Sequence, residues 1–335
     1  MLSIPLAAPQ RSITPLREHF GSVIQAGAGD TLLSLDPAEF AQLFRQRGAL
    51  LFRGFPGDSA SFVEFTQRYS QNFSTYQGGG FRIGFLNRQS IGGDPTLLST
   101  TGHTQGFPIE LHGEMYYIKQ RPELLWFFCA NAPAKAGETT ICDGVELLRL
   151  LSPEVRELFA SRRVTYIRHL RSQEWQTTYQ TEDLEVVRQF CRENDMTLQV
   201  RADGSIETRF TCSPLITSPS LHQPAFINSI VQSYLIEWAV TSGWLQENIK
   251  GLQLEHPPIV VRFEDGSRIP DKIIDEIREV SERITLNVSW KNGDVLMIDN
   301  MRALHGRRQA VGSDRSIFVR LGQQGPLLRQ PAVGA

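Results

Sequence analysis

"IELHGEMYYIKQRPELLWFFCANA", residues Ile109–Ala132, carries strand character twice, over Ile109–Ile118 and again over Leu124–Ala132. Side chains two apart on a strand share a face. A strand over Ile109–Ile118 therefore stands the imidazole of His112 beside the carboxylate of Glu114. Such a pair is half of an iron site or has no chemistry. With seven His and 36 acidic residues in 335, roughly one such pair is expected by chance, so the pair alone decides nothing.

Outward from this stretch the pattern stays β-rich. "GALLFRGFPGDS" (Gly48–Ser59) reads as a buried strand closed by a Pro/Gly turn, with a helix before it over Pro37–Arg47. "SPEVRELFASRR" is a helix with Ser152 as N-cap and Pro153 at its first position. "DLEVVRQFCREND" and "PDKIIDEIREVSERI" are further helices, the latter with Ile273, Ile274, Ile277 and Val280 at helical spacing. "TLNVSW" and "VLMIDN" flank Asn292-Gly293, a hairpin signal, and "RSIFVRLG" is a last strand from Arg315. Tyr76–Gly106, rich in Gly, Ser, Thr and Asn, reads as loops placed to fold over a site as a lid.

Strands and helices do not alternate regularly, and no GxGxxG or Walker-type loop is present, which disfavours a doubly wound α/β fold. The expected fold is mainly β with helical insertions. One catalytic domain spans 1–335, with core strands over approximately 48–135 and 205–322 and a helical insertion over approximately 144–200.

Composition narrows the function. Hydrophobic residues make up 41% of the chain, enough for a sizeable core, and the 34 basic and 36 acidic residues are mixed throughout. No Lys/Arg block suits a phosphate backbone, so no nucleic-acid partner is expected. "MLSIPLAAPQRS" does not read as a secretory signal, and no apolar run is long enough for a membrane span. Four cysteines without CxxC spacing read as reduced thiols, and the expected compartment is the cytoplasm.

A second His would complete the site, since non-haem Fe(II) oxygenases bind iron through two His and one carboxylate. The candidate is His305 in "LMIDNMRALHGRRQ", read as following a strand and opening a turn through Gly306. The other histidines read as structural or exposed, although His103 lies in the Gly/Thr-rich loop where substrate contact is open to it.

Three ordered segments now resemble the Fe(II)/2-oxoglutarate-dependent dioxygenases of the taurine dioxygenase and clavaminate synthase-like group. They are "LHGEMYYIKQRPELLWFFC", "APAKAGETTICDG" and "GDVLMIDNMRALHGRRQAVGSDRSIFVR", within a resemblance running from about Leu50 to Leu321. In the second, Ala136 replaces the first Gly of the usual Gly-Gly pair.

The resemblance implies a double-stranded β-helix (jelly-roll) core, Fe(II) as cofactor, and 2-oxoglutarate and O2 as co-substrates. It makes His112, Glu114 and His305 the iron ligands. By the same resemblance Thr139 and Arg315 are expected to bind the distal carboxylate of 2-oxoglutarate, with Arg320 the alternative arginine. The family often carries a second Arg four positions after the first, where this chain has Val319. Arg307 is expected to stabilise the turn after His305, and Asp299 and Asn300 to support it.

Because Glu114 fills the third ligand position, the resemblance implies hydroxylation or desaturation of an unactivated C–H bond rather than halogenation. "HQPAFINSIVQSYL" and "FFCANAPAKAGETT" are similar to hydroxylases of natural-product pathways. These imply an amino-acid-type substrate, free or held on a peptidyl carrier protein. Asn87, His103 and Gln105 are then the expected polar contacts, with Arg320 pairing the carboxylate of a free amino acid. The competing readings are a taurine- or carnitine-type dioxygenase, a zinc hydrolase, and a non-catalytic binding or regulatory protein on the same fold.

Overall fold

The computed structural model describes residues 10–80, 88–100, 107–248, 254–311 and 315–329. It is mainly β with helices. A large sheet of eight strands runs in the order Ser12–Pro15, Ser22–Gln25, Ala49–Arg53, Val295–Asp299, Leu124–Asn131, Ser316–Gly322, Asp94–Ser99, Ser90–Ile91. A small sheet of four runs Leu286–Val288, Thr139–Asp143, Ala303–Arg307, Ile109–His112. A third, insert sheet runs Thr197–Val200, Ile206–Cys212, Val164–Leu170, Ile259–Phe263.

The apolar run "LLWFFC" lacks polar alternation because its strand is buried on both faces. Leu125, Phe127 and Cys129 pack into the core shared with the small and insert sheets. Leu124, Trp126 and Phe128 point the other way, against Phe40, Phe44, Phe62 and Phe65 of the helices Pro37–Arg47 and Ser59–Gln67. The expected helices form at Pro37–Arg47, Pro153–Ser161, Leu184–Glu193 and Asp271–Ile284, with the Ser152 hydroxyl accepting from the Val155 N–H.

The chain alternates between the two sheets that frame the site. Leu286–Val288 lies in the small sheet, Val295–Asp299 in the large, Ala303–Arg307 in the small, and Ser316–Gly322 in the large. The Asn292-Gly293 hairpin expectation is corrected by this. Gly293 does take a left-handed φ of 84°. Its turn, however, carries the chain from one sheet to the other, because Val295–Asp299 is already paired on both sides, with Ala49–Arg53 and Leu124–Asn131.

Two further expectations change. The span 144–200 is not purely helical, since Val164–Leu170 and Thr197–Val200 belong to the insert sheet. The span Tyr76–Gly106 is not only loop. Asp94–Ser99 pairs with Ser316–Gly322, and Leu97 and Leu98 are buried in the cores on its two faces. That pairing fixes part of the proposed lid as an edge hairpin.

Candidate metal centre and its cavity

The strand expected over Ile109–Ile118 stops at His112. Glu114 lies in the turn that follows, and Met115 there has a left-handed φ of 60°. Strand alternation therefore does not bring Glu114 to His112. The turn does, and Asn300 holds it. The Asn300 side chain accepts from the Glu114 N–H (2.9 Å) and donates to the Glu114 and Pro122 carbonyls (3.1 and 2.7 Å). Gly113 has no room for a side chain, since a Cβ there would lie 2.4 Å from the Tyr116 ring.

His305 is mid-strand, not at a turn, and it pairs directly with His112 across antiparallel strands. Directly opposed residues share a face at close range. The two imidazole rings lie 4.3 Å apart between centroids. Gly306 permits this approach, because a Cβ there would lie 2.4 Å from the Ile109 carbonyl oxygen. The corner before His305 is fixed by Arg302, which donates to Asp143 at 2.8 Å and to the carbonyls of Gln46 and His19. Asp299 and Asn300 thus belong to the corner ahead of the His305 strand.

Ligand atoms of His112, Glu114 and His305 all lie within 4.8 Å of one another, and all three residues are buried. His305 Nε2 is 3.5 Å from Glu114 Oε2, and His305 Nδ1 is buried without a partner among the described residues. His112 Nδ1 is 2.8 Å from the Glu110 carbonyl, which as acceptor fixes the proton on Nδ1 and leaves Nε2 its lone pair. Burial, helped by His305, pushes His112 down to about 3, so its ring is neutral. Burial alone would raise the Glu114 carboxyl, but Arg88 and the histidines together hold it below the usual carboxylate range. Imidazole nitrogens from two histidines and one ionised carboxylate are the donor set that a non-haem Fe(II) ion takes.

These residues line a cavity of about 790 Å³, in the range of small-molecule sites. Thr139 and Arg315 line it too. In register, Thr139 faces Arg307 one step along from His305, so all three share the face toward the cavity. The Thr139 hydroxyl accepts from Trp290 Nε1 at 3.1 Å, which leaves its proton to donate. Arg315 donates to the Gly137 carbonyl and the Thr100 hydroxyl. Arg307 donates to the Phe107 carbonyl and forms part of the cavity wall, where a turn-stabilising role was expected. Burial pushes both arginines down to about 10. Anything anionic at this end is favoured by two buried guanidiniums.

Arg320 is not brought to the cavity. It shares the strand face of Phe318, against the helix Ser59–Gln67, where its Nη1 donates to the Thr66 hydroxyl (2.7 Å) and the Val63 carbonyl. Its guanidinium lies 3.6 Å over the Phe73 ring. Val319 is fully buried in the core. The expected substrate contacts Asn87, His103 and Gln105 lie outside the described residues. Three residues at the centre had no sequence signal of their own. They are Tyr76, whose hydroxyl donates to Glu114 Oε1 at 3.0 Å, Arg88, whose Nη2 donates to Glu114 Oε2 at 3.0 Å, and Trp290.

The profile of the taurine catabolism dioxygenase TauD, TfdA family matches residues 12–321. A clavaminate synthase-like protein of Arabidopsis thaliana is 28% identical over 280 residues, 79% of this chain and 79% of that one. The dapdiamide synthesis protein DdaC of Enterobacter agglomerans is 25% identical over 286 residues, 84% of this chain and 83% of that one. The crystal structure of PvcB from Pseudomonas aeruginosa shares the fold with a TM-score of 0.55, at 17% identity over 99% of this chain and 98% of that one. A second PvcB structure, described as an Fe, alpha-ketoglutarate dependent oxygenase from an isonitrile synthetic pathway, gives 0.54 at 16% identity over 96% and 94%.

Proposed function

The chain belongs to the taurine catabolism dioxygenase TauD, TfdA family and is a 2-oxoglutarate-dependent non-haem iron dioxygenase, and from that premise we propose that it hydroxylates or desaturates an unactivated C–H bond of an amino-acid-type substrate in natural-product biosynthesis. The substrate is a small molecule, free or held on a carrier protein. The sheet-to-sheet alternation supports reading the core as a double-stranded β-helix within one catalytic domain. Four free cysteines support a cytoplasmic setting. No helix among the described residues is long and apolar enough to cross a membrane.

The observation that carries the reading is the shared cavity, with the His112–Glu114–His305 focus in one wall and Thr139, Arg307 and Arg315 beyond it. His112, Glu114 and His305 would hold the iron. Thr139 and Arg315 would take the distal carboxylate of 2-oxoglutarate, the hydroxyl donating and the guanidinium adding a charge-assisted bond. Bound iron supplies the oxidising power, coupling O2 and 2-oxoglutarate to attack on the C–H bond. Glu114 occupies the third ligand position, which supports oxygenation over halogenation. Phe127, 5.7 Å from the His305 ring, and Phe107 keep that part of the cavity apolar and exclude water. Synthetic roles in the names of DdaC and PvcB support a natural-product substrate.

The test is mass spectrometry of amino acids and their carrier thioesters incubated with Fe(II), 2-oxoglutarate and O2. Gain of one oxygen, or loss of two hydrogens, coupled to succinate is the expected result. Turnover of a sulfonate or a carnitine precursor, with every amino acid inert, would replace this substrate class.

A further inference from the structure

Among the described residues Arg88 is bonded along one edge only. Its Nη2 donates to Oε2 of Glu114 at 3.0 Å, and its guanidinium lies 4.2 Å over the Tyr76 ring. Its Nη1 is buried and meets no acceptor among the described residues. The side chain is only 13% exposed, yet it lines the cavity that His112 and His305 also line. A buried guanidinium donor without a partner, set in a cavity wall, is a place for a ligand's acceptor.

The group cannot easily turn away to find a partner elsewhere. Tyr76 covers its face, and the Tyr76 hydroxyl is itself tied to Glu114 Oε1. The loop behind Tyr76 is pinned by Arg168, which donates to the Gly78 and Gly80 carbonyls at 2.7 Å each. Arg88 is thus held on its ring face by Tyr76 and on one edge by Glu114, with its Nη1 left over.

The cavity has two cationic ends. Ile109 pairs with Arg307 and His112 with His305, so Arg307 and Thr139 lie on the Ile109 side of the histidine pair. Glu114 follows His112 in the chain, and among the described residues Arg88 bonds to it and to none of Thr139, Arg307 and Arg315. The first end has Thr139, Arg307 and Arg315 for the dicarboxylate co-substrate. The second has a guanidinium whose one anionic partner among the described residues is the carboxylate that would share its charge with iron. An anion on the substrate fits there.

We propose that Arg88 anchors a carboxylate of the substrate, its Nη1 donating to that carboxylate beside Glu114. This rests on the amino-acid reading above and narrows it to a substrate presenting a free carboxylate. A carboxylate fixed next to a metal-ligating side chain places the carbons adjacent to it nearest the metal, so attack falls close to the anchored group. A thioester lacks that anion at its acyl carbon and would need a second carboxylate to use Arg88.

The test uses the full-length protein loaded with Mn(II) and N-oxalylglycine, an unreactive stand-in for iron and 2-oxoglutarate. Titration calorimetry then compares 3-phenylpropionate with 3-phenylpropionamide, equal in shape and differing in charge. The wild-type protein should bind the carboxylate at least about tenfold more tightly than the amide, as a charge-assisted bond would give. Arg88→Met should bring the two to near equality while still taking up Mn(II), because losing a cation beside Glu114 does not weaken its hold on a metal. Arg88→Gln, which still packs on Tyr76, gives the same readout should the Met variant not fold. An undiminished carboxylate preference in both variants, no preference in the wild type, or no binding of either probe overturns the proposal. Turnover of an amino acid alongside any of those results would leave the amino-acid reading standing and remove only the role of Arg88.

Discussion

Glu114 owes its place to a side chain nearly two hundred positions away, for Asn300 bonds both its backbone N–H and its carbonyl. Asn300→Asp keeps the acceptor for the N–H but loses both donated bonds. Such outer bonds tune a metal site by about 10- to 100-fold in affinity. The expected outcome is a folded protein whose Mn(II) affinity falls by that order in calorimetry. An unchanged affinity would reduce Asn300 to a corner former. Arginines make a second residue-scale contrast. Arg315→Ala should raise the Kd for 2-oxoglutarate by at least about tenfold, since it removes a charge-assisted pair, while Arg320→Met should leave that Kd unchanged because Arg320 lies across the large sheet. Equilibrium binding on Mn(II)-loaded protein separates the two. This contrast was partly legible in sequence, because Phe318 and Arg320 are two apart and so share a strand face. Arg88 and Tyr76 were not legible. Each reaches Glu114 through a loop conformation, and loop geometry leaves no periodic trace.

The corner between Val295–Asp299 and Ala303–Arg307 carries both Asn300 and an unusually weak carboxylic acid. Burial raises Asp299 to about 6 from an ordinary 3.8, against the opposing Met301 N–H and Arg302. With the folded value raised, the folded state holds its proton between about pH 4 and 6 while the unfolded chain has released it. Stability from this group is therefore complete below about pH 4 and lost as pH rises through 6, a change on the order of 3 kcal/mol. Asp299→Asn should remove that contribution, so that in urea denaturation of the metal-free protein the variant gains stability relative to wild type as pH rises from about 4 to 6. A stability difference between the two proteins that does not change with pH would remove this role from Asp299. Long amphipathic helices were readable because their caps and apolar spacing are local, as at Ser152 and Asp271–Ile284. The strand ending at His112 was overextended through Ile118 because Tyr116, Tyr117 and Ile118 are buried and apolar, as strand residues are, while a left-handed Met115 turns the chain. Asn292-Gly293 marked a true turn, but a turn signal does not say which sheet the next strand joins.

In the whole molecule, the large sheet divides two cores and the small sheet lies on one of them, so the His112–Glu114–His305 cluster sits between sheets rather than at a surface. The sequence motifs give the proposed ligands in order along the chain, but the pairing that brings two of them together is between strands far apart in sequence. His112 and His305 stand opposite each other in adjacent strands although about 190 residues separate them in sequence. Closing a loop of that length costs roughly 5 kcal/mol in chain entropy before any constant term. An ion seated on His112, Glu114 and His305 cannot assemble its ligands early, because no short segment holds all three. It would meet them only after both sheets have formed, past the transition state for folding. Mn(II) should then leave the refolding rate unchanged and slow unfolding in proportion to its stabilisation, which stopped-flow fluorescence in urea would measure. A faster refolding limb would mean that the two histidines meet before the sheets do. With an unchanged limb, the ion is a clasp fastened last: loss of metal shortens the lifetime of the native chain without hindering its formation.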